Sequence, residues 1–323
     1  MLLYVDDVII ICNTEDEFAK IVQGLSDNFK ITILGDLKLF LGIQVRLVGG
    51  QYRINQNVYL TRILEKFGML SSKTSKIPMD PGFLQRKEED SIKLETVEHY
   101  QSLIGALLYV AVSSRQDISI ASSILGRRVK NPSQADWNEA KRVLRYLKGT
   151  ADMELQLGYD DRELVCWVDA DWAGDVSDRK SSSGYVLKFG GVIGWGCRKQ
   201  KCVALSSTEA EYIALAECLQ ELQWILKLLA DIGEQLKLPI MVMEDNQSCI
   251  ALTQLDRAQK KSKHIDTKCS FVKQMVSDGV IQMQYCPTEF MEADLLTKPL
   301  QAVKLQMLRK AIGINSIYVE EEC

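Results

Sequence analysis

The sequence predicts an α/β chain whose last half is a mixed sheet flanked by helices, preceded by a short α+β stretch and a helical one. Three observations predict it. Beyond residue 160, apolar runs of strand length alternate with helical pattern. Between them lies one long amphipathic helix, "STEAEYIALAECLQELQWILKLLADIG". Ahead of residue 150, "PSQADWNEAKRVLRYLKG" has helical periodicity and its own start and stop signals.

At 323 residues, with 46% hydrophobic and 25% charged residues, the chain has room for two or three domains. Its apolar stretches reach about ten residues, well short of the ~20 needed to cross a bilayer, and no signal-peptide pattern opens it, so no membrane association is expected. A net charge of −4 means that any case for a nucleic-acid partner must be local. Nine cysteines without a C-x-x-C pair, and only two histidines, His99 and His264, argue for free thiols in a reducing compartment and against zinc.

Residues 1 to about 70 read as strands with one helix: "LLYVDDVIIIC", then "LKLFLGIQVRLV" and "QYRINQ" joined at Gly49-Gly50. Tyr59, Ile63 and Phe67 mark the helix and Gly68 its stop. Residues 70–95, rich in Ser, Lys and Asp, read as an exposed connector, followed by helical pattern to about 148. In "PSQADWNEAKRVLRYLKG", Ser133 is the N-cap, Trp137, Ala140, Leu144 and Leu147 make the apolar stripe, and Gly149 ends it. Strands follow at "ELVCWVD", on both sides of Gly190-Gly191, at "KCVALS", at "PIMVMED" and at "VIQMQYC".

Four carboxylates in this last half stand at the ends of apolar elements. Asp169 closes "LVCWVD", Asp245 closes "IMVMED", Glu211 lies in the first turns of the long helix, and Asp294 lies in "EADLLTKPL". Strands of an α/β sheet that run parallel end on one side, where such sheets place their sites. Glu211 shares a helix face with Leu215, Cys218 and Leu222, which turns it toward the sheet. Each residue also has an ordinary reading as a turn or cap: Thr208 with Glu211 is a candidate capping box, although Ser206 with Glu209 offers a second. Together the four would repel one another without a cation, and hard divalent ions with oxygen ligands are the usual answer. Trp172 and Trp195 read as packing residues.

The stretches "WVDADWAGD", "ALSSTEAEYIAL", "MEDNQSCIAL", "KHID" and "ADLLTKPL" resemble the RNase H domain of copia-type retrotransposon Pol polyproteins. "LLYVDD", "LIGALLYVAV" and "KRVLRYLKGT" resemble the reverse-transcriptase and connecting segments that precede it. The resemblance implies a truncated reverse-transcriptase palm remnant over 1–78, a helical thumb or connection region over 79–158, an RNase H-like mixed five-stranded sheet flanked by helices over 159–315, and a tail over 316–323. It implies a ribonuclease that cuts the RNA strand of an RNA–DNA hybrid with two Mg²⁺ or Mn²⁺ ions, no small-molecule cofactor, and a complete Pol polyprotein as a partner in trans. It places such a chain in the cytoplasm, in virus-like particles, or in the nucleus, and not outside the cell.

Carried over by position, the catalytic and metal-holding quartet is Asp169, Glu211, Asp245 and Asp294, with Asp171 competing for the first place. Asp6 and Asp7 match a polymerase metal site expected to be vestigial, because the family's third carboxylate lies well upstream of them. Arg198, Lys199 and Lys201, and Lys260, Lys261, Lys263 and His264, are the expected contacts to hybrid phosphates. A non-catalytic or co-opted nucleic-acid-binding remnant is the alternative. Two departures from the family pattern stand out: "KCSF" at 268–271 lacks a family histidine, and Gln116 replaces a proline.

Overall fold

The structure is a computed structural model that describes residues 1–86, 92–159, 162–254 and 263–316. Its first element is a hairpin of β1 (Leu2–Tyr4) and β2 (Asp7–Ile9) with Tyr4 opposite Asp7. The helix α1 (Glu15–Ser26) follows, which the pattern-based reading of one helix in this stretch did not contain. Its signals are local: the Thr14 hydroxyl caps the Glu17 amide, and Glu15, Asp16 and Glu17 fill the first turn. It buries no side chain, which is why apolar periodicity did not reveal it.

Next come β3 (Leu39–Phe40), β4 (Ile43–Val48) and β5 (Gln51–Asn55), with Gly49 and Gly50 at φ +59° and +81° turning the β4–β5 hairpin, then α2 (Asn57–Lys66). The middle of the chain supplies α3 (Glu98–Ser113), α4 (Ser119–Gly126), α5 (Gln134–Gly149) and a strand, β6 (Met153–Leu157). At the start of α5, Ser133 and Asp136 form a complete capping box.

The last half holds β7 (Val165–Asp171), β8 (Ser182–Lys188), β9 (Val192–Lys199), α6 (Ser207–Asp231), β10 (Ile240–Glu244), α7 (Gln247–Gln254), α8 (Lys263–Ser277), β11 (Ile281–Tyr285), α9 (Asp294–Thr297), α10 (Ala302–Ala311) and β12 (Ile314–Ser316). The sheet runs in the order β11-β10-β7-β8-β9. Strands β7, β8 and β9 form an antiparallel meander, and β10 lies parallel to both β7 and β11. This is the RNase H-like mixed five-stranded sheet. The expected strand at "KCVALS" does not form: β9 stops at Lys199, and residues 201–206 lead into α6, where Ser206 caps the Glu209 amide.

A second five-stranded sheet, in the order β12-β6-β5-β4-β3, joins three distant parts of the sequence. Its pairing is antiparallel throughout. Glu154 on β6 fastens it, taking Arg46 at 2.6 Å and Asn55 at 2.5 Å from the two strands of the hairpin. This one hydrogen-bonded sheet thus takes strands from each of the expected segments 1–78, 79–158 and 159–315.

Two cores result. One gathers Leu60, Leu103, Leu107, Ile124, Leu144 and Leu147 from α2 to α5, together with Leu295, Leu296 and Leu308 from α9 and α10. The other packs Leu215, Leu219 and Leu222 of α6 on Cys166, Val168 and Val242 of the sheet. Inside the first core lies a buried network: Arg115 grips Asp117 through two hydrogen bonds and donates to the Thr150 carbonyl at 3.0 Å. No helix among the described residues is long and apolar enough to cross a membrane.

Gln116, in the middle of this network, is fully buried, and neither end of its side-chain amide has a hydrogen-bond partner among the described residues. It opens a single helical turn, a position that suits proline, and Arg115 before it is not α-helical at φ −128°, ψ 71°. Gln116→Pro is expected to raise stability by about 1–2 kcal/mol by removing two orphaned polar groups and fixing φ. Thermal or urea melting checks it, and a lower melting point would refute it.

Candidate metal centre

Two parallel strands bring the first pair of carboxylates together. Met243 on β10 lies opposite Trp167 on β7, so Asp245, just past β10, leaves the pair level with Asp169. Glu211 sits on the face of α6 that buries Leu215, Cys218 and Leu222. One carboxylate oxygen from each of Asp169, Glu211 and Asp245 lies within 4.8 Å of the others, and this is the only group of three potential metal ligands among the described residues. Glu211 is 5% exposed, and its Oε2 has no hydrogen-bond partner among the described residues. Oxygen-only donors on a pre-formed cluster, one of them orphaned, fit a hard divalent cation such as Mg²⁺ or Mn²⁺.

Asp294 comes from the other side. It opens α9, is 0% exposed, and is held by cations of the protein: Lys298 Nζ stands 2.5 Å from its Oδ1, and Lys304 Nζ bonds its Oδ2. Lys298 also lies 3.8 Å from Asp169 Oδ2, which accepts a hydrogen bond from the Thr297 hydroxyl. The fourth carboxylate is thus beside the other three but outside their group. Its approach depends on Gly184, which pairs with Asp169 across β7 and β8. A Cβ on Gly184 would meet Thr297 Cγ2 at 2.7 Å, Leu296 Cβ at 2.9 Å and the Ala293 carbonyl at 3.1 Å, so only glycine lets α9 lie this close to the sheet.

The electrostatics reflect the crowding. Burial, only partly offset by Lys298 and reinforced by Asp294, pushes Asp169 up to about 7. Burial and the charges of Glu244, Asp169 and Asp245 push Glu211 up to about 11. Glu244 is a fifth carboxylate at this end of the sheet, fully buried, with Oε1 accepting the Asn246 amide at 3.0 Å. Burial and its charged neighbour Asp245 hold it well above the usual carboxylate range. Asp171, the competing first carboxylate, is raised by burial too but does not join the group of three.

The sequence reading missed Glu244, Thr297, Gly184 and the two lysines. A signal existed for one of them: Asp294 and Lys298 are spaced i,i+4, as on one helix face. Lys304 bonds Asp294 from a different helix, and nothing local announces that.

The expected phosphate contacts divide. Arg198 and Lys201 are exposed. Lys199 is instead taken up by Asp175 at 2.5 Å and Asp178 at 2.9 Å, so an internal ion pair competes with the expected role. Lys260 and Lys261 lie outside the described residues, and Lys263 and His264 open α8. Trp195 packs against the first core and donates to the Ala111 carbonyl at 3.0 Å, as a packing residue should. Trp172 corrects the expectation: it is 49% exposed, tethered by its Nε1 to the Ala204 carbonyl at 3.0 Å. The burial of the strand ahead of it ends before it, so apolarity alone misjudged its place. Asp6 and Asp7 are exposed at the tip of their hairpin and belong to no group of three potential ligands among the described residues.

Residues 1–81 match the family model of reverse transcriptase (RNA-dependent DNA polymerase). Over 324 residues, 98% of this chain and 24% of the relative, the chain is 34% identical to the retrovirus-related Pol polyprotein from transposon TNT 1-94 of Nicotiana tabacum. It spans about a quarter of the length of this relative and of the retrovirus-related Pol polyproteins from transposons RE1 and RE2 of Arabidopsis thaliana. Among solved structures, the foamy viral protease-reverse transcriptase in complex with RNA/DNA hybrid is 15% identical, with a TM-score of 0.44 over 89% of this chain and 35% of that one. LC11-RNase H1, isolated from compost, is 19% identical, with a TM-score of 0.34 over 42% of this chain and 93% of that one.

Gly184→Ala is expected to cost about 1–3 kcal/mol by forcing α9 off the sheet. Gly194→Ala, whose Cβ would meet Leu187 at an ordinary 3.7 Å, is the control that should cost clearly less in the same melting experiment. The carboxylates make a second prediction. Asp169 ionises near 3.8 in an unfolded chain and near 7 in the folded one, so between those values the folded state holds the extra proton. Stability of the metal-free protein therefore falls as pH rises through that window. Melting in chelator should show the decline, Asp169→Asn should remove part of it, and added Mg²⁺ should reverse it at neutral pH.

Proposed function

The chain belongs to the copia-type family of retrotransposon Pol polyproteins, and from that premise we propose that its residues 159–315 hydrolyse the RNA strand of RNA–DNA hybrids, leaving a 3′-hydroxyl and a 5′-phosphate. The observation that carries this reading is the convergence of Asp169, Glu211 and Asp245 within 4.8 Å at the end of an RNase H-like sheet.

Asp169, Glu211 and Asp245 would hold the divalent metal. Two Mg²⁺ or Mn²⁺ ions, when bound, supply activation of the attacking water and neutralisation of charge on the leaving oxygen. The chain's own residues do the rest. Thr297 fixes the orientation of Asp169 by donating to its Oδ2. The register of β7 with β10 sets Asp245 level with Asp169, and α6 presents Glu211 from the neighbouring layer. Arg198 and Lys201, exposed ahead of α6, are free to take backbone phosphates of the hybrid, and Trp172, half exposed, follows Asp171 in sequence and is tied through its Nε1 to the carbonyl of Ala204, three residues past Lys201.

The polymerase stretch is proposed to be inactive in this chain alone. Asp6 and Asp7 stand exposed on a three-residue-a-side hairpin with no third potential ligand grouped with them among the described residues, whereas metal-assisted transfer needs a cage that positions both attacking and leaving oxygens.

Incubation of the purified chain with a labelled RNA–DNA hybrid and Mg²⁺ tests the reading. The hybrid's RNA strand should be cut and its DNA strand spared, and Asp169→Asn or Asp245→Asn should lower the rate at least ~10²-fold. Cleavage that survives both substitutions refutes it. Salt-sensitive binding without turnover would favour the non-catalytic alternative.

A further inference from the structure

Packing holds the three grouped carboxylates unequally. Asp169 and Glu211 are buried, whereas Asp245 stands just past the end of β10 and is only partly covered. A carboxylate that packing does not hold turns about its side-chain bonds, and a group of oxygens within reach of one ion is lost when one of them turns away. Asp245 therefore needs a restraint that the other two receive from their surroundings.

The neighbouring strand supplies it. Glu244 on β10 lies opposite Tyr285 on β11, and the parallel pairing runs one residue further, with the Cys286 amide donating to the Glu244 carbonyl at 2.9 Å. Pro287 then ends the pairing, having no N–H to continue it, and Thr288–Phe290 make a single helical turn. From this turn Thr288 Oγ1 donates to Asp245 Oδ2 at 2.7 Å. Thr288 itself is exposed, but its flanks are not. Cys286 and Met291 are buried, and the Thr288 carbonyl accepts Lys304 Nζ at 2.9 Å and the Met291 amide at 3.4 Å. The hydroxyl is thus carried by backbone fixed on both sides. A hydrogen bond at an exposed place adds little to stability, because water offers the same partners, so its effect is on where the carboxylate points.

We propose that Thr288 is a positioning residue of the metal centre, which orients Asp245 as Thr297 orients Asp169. The segment 288–297 then sets two of the three ligand carboxylates, one from each of its ends. This rests on the reading of the site as a metal-dependent nuclease and adds to it the group that keeps its most open ligand in place.

Mn²⁺ binding to the full chain, followed by electron paramagnetic resonance without nucleic acid, tests the proposal apart from cleavage. Thr288→Val keeps the shape of the side chain and removes the donor. It should weaken Mn²⁺ binding ~10-fold, as loss of a hydrogen bond to a metal ligand does, at an unchanged melting point. Thr288→Ser keeps the donor and should bind as the wild-type chain does. On an Asp245→Ala background, where Thr288 has no carboxylate to orient, Thr288→Val should weaken binding no further. In hybrid cleavage, Thr288→Val should raise the Mg²⁺ concentration at half-maximal rate and leave the KM for hybrid at saturating Mg²⁺ unchanged. Wild-type Mn²⁺ affinity in Thr288→Val would overturn the proposal, as would equal losses in the Val and Ser variants or a full loss on the Asp245→Ala background. A raised KM with unaltered Mn²⁺ binding would overturn it too, since Thr288 would then act on the substrate directly. A wild-type chain that binds no Mn²⁺ would instead overturn the metal-dependent reading itself, which separates the two failures.

Discussion

Like charges gathered in a low-dielectric place are the constraint around which the rest of this molecule is arranged. Asp169, Glu211, Asp245, Glu244 and Asp294 meet at one end of a sheet, four of them buried and only Asp245 partly open. Left alone such a cluster would spread apart or stay protonated, and burial together with neighbouring negative charge raises Asp169 and Glu211 in that direction. What holds it is covalent and hydrogen-bonded geometry that electrostatics cannot easily deform: a parallel register between β7 and β10, a 25-residue helix packed across them, and α9 pressed onto Gly184. The lysines on Asp294 then remove part of the repulsion from within.

The same constraint explains why the last half of the chain is tied to the middle. Helix α9 has four residues, too few to be stable on its own. Its Leu295 and Leu296 are buried in the core formed by α2 to α5, so the carboxylate and lysine it carries are positioned by residues far upstream. The second sheet makes the dependence firmer, because β12 follows α10 directly and pairs with β6, which pairs with β5. A site assembled on one sheet is thereby braced by another.

Particular residues show how far sequence pattern reached. Asp169 and Asp171 both stand at the end of one apolar strand, and the group of three potential ligands includes Asp169 and not Asp171. Ser133 and Gly149 mark the cap and the end of α5, since capping is decided within one turn. By contrast, α1 lies outside the expected elements and buries nothing, "KCVALS" reads as a strand because its apolar residues mimic alternation, and Trp172 reads as a packing residue because its own ring is apolar. In each case the pattern used was a proxy for burial, and burial is a property of the folded neighbourhood.

By itself the sequence determined the strands and helices whose signals lie within a turn or a pleat, the family's motifs, and the identity of the acidic residues at element ends. Only the tertiary structure decided that three of those acids share oxygens within reach of one ion while the fourth is held by two lysines. It also decided that segments near residues 45, 155 and 315 form one sheet. The physical reason is range: capping, periodicity and turn chemistry act between neighbours along the chain. Charge neutralisation, close approach over a glycine and strand pairing act between groups that only folding brings together.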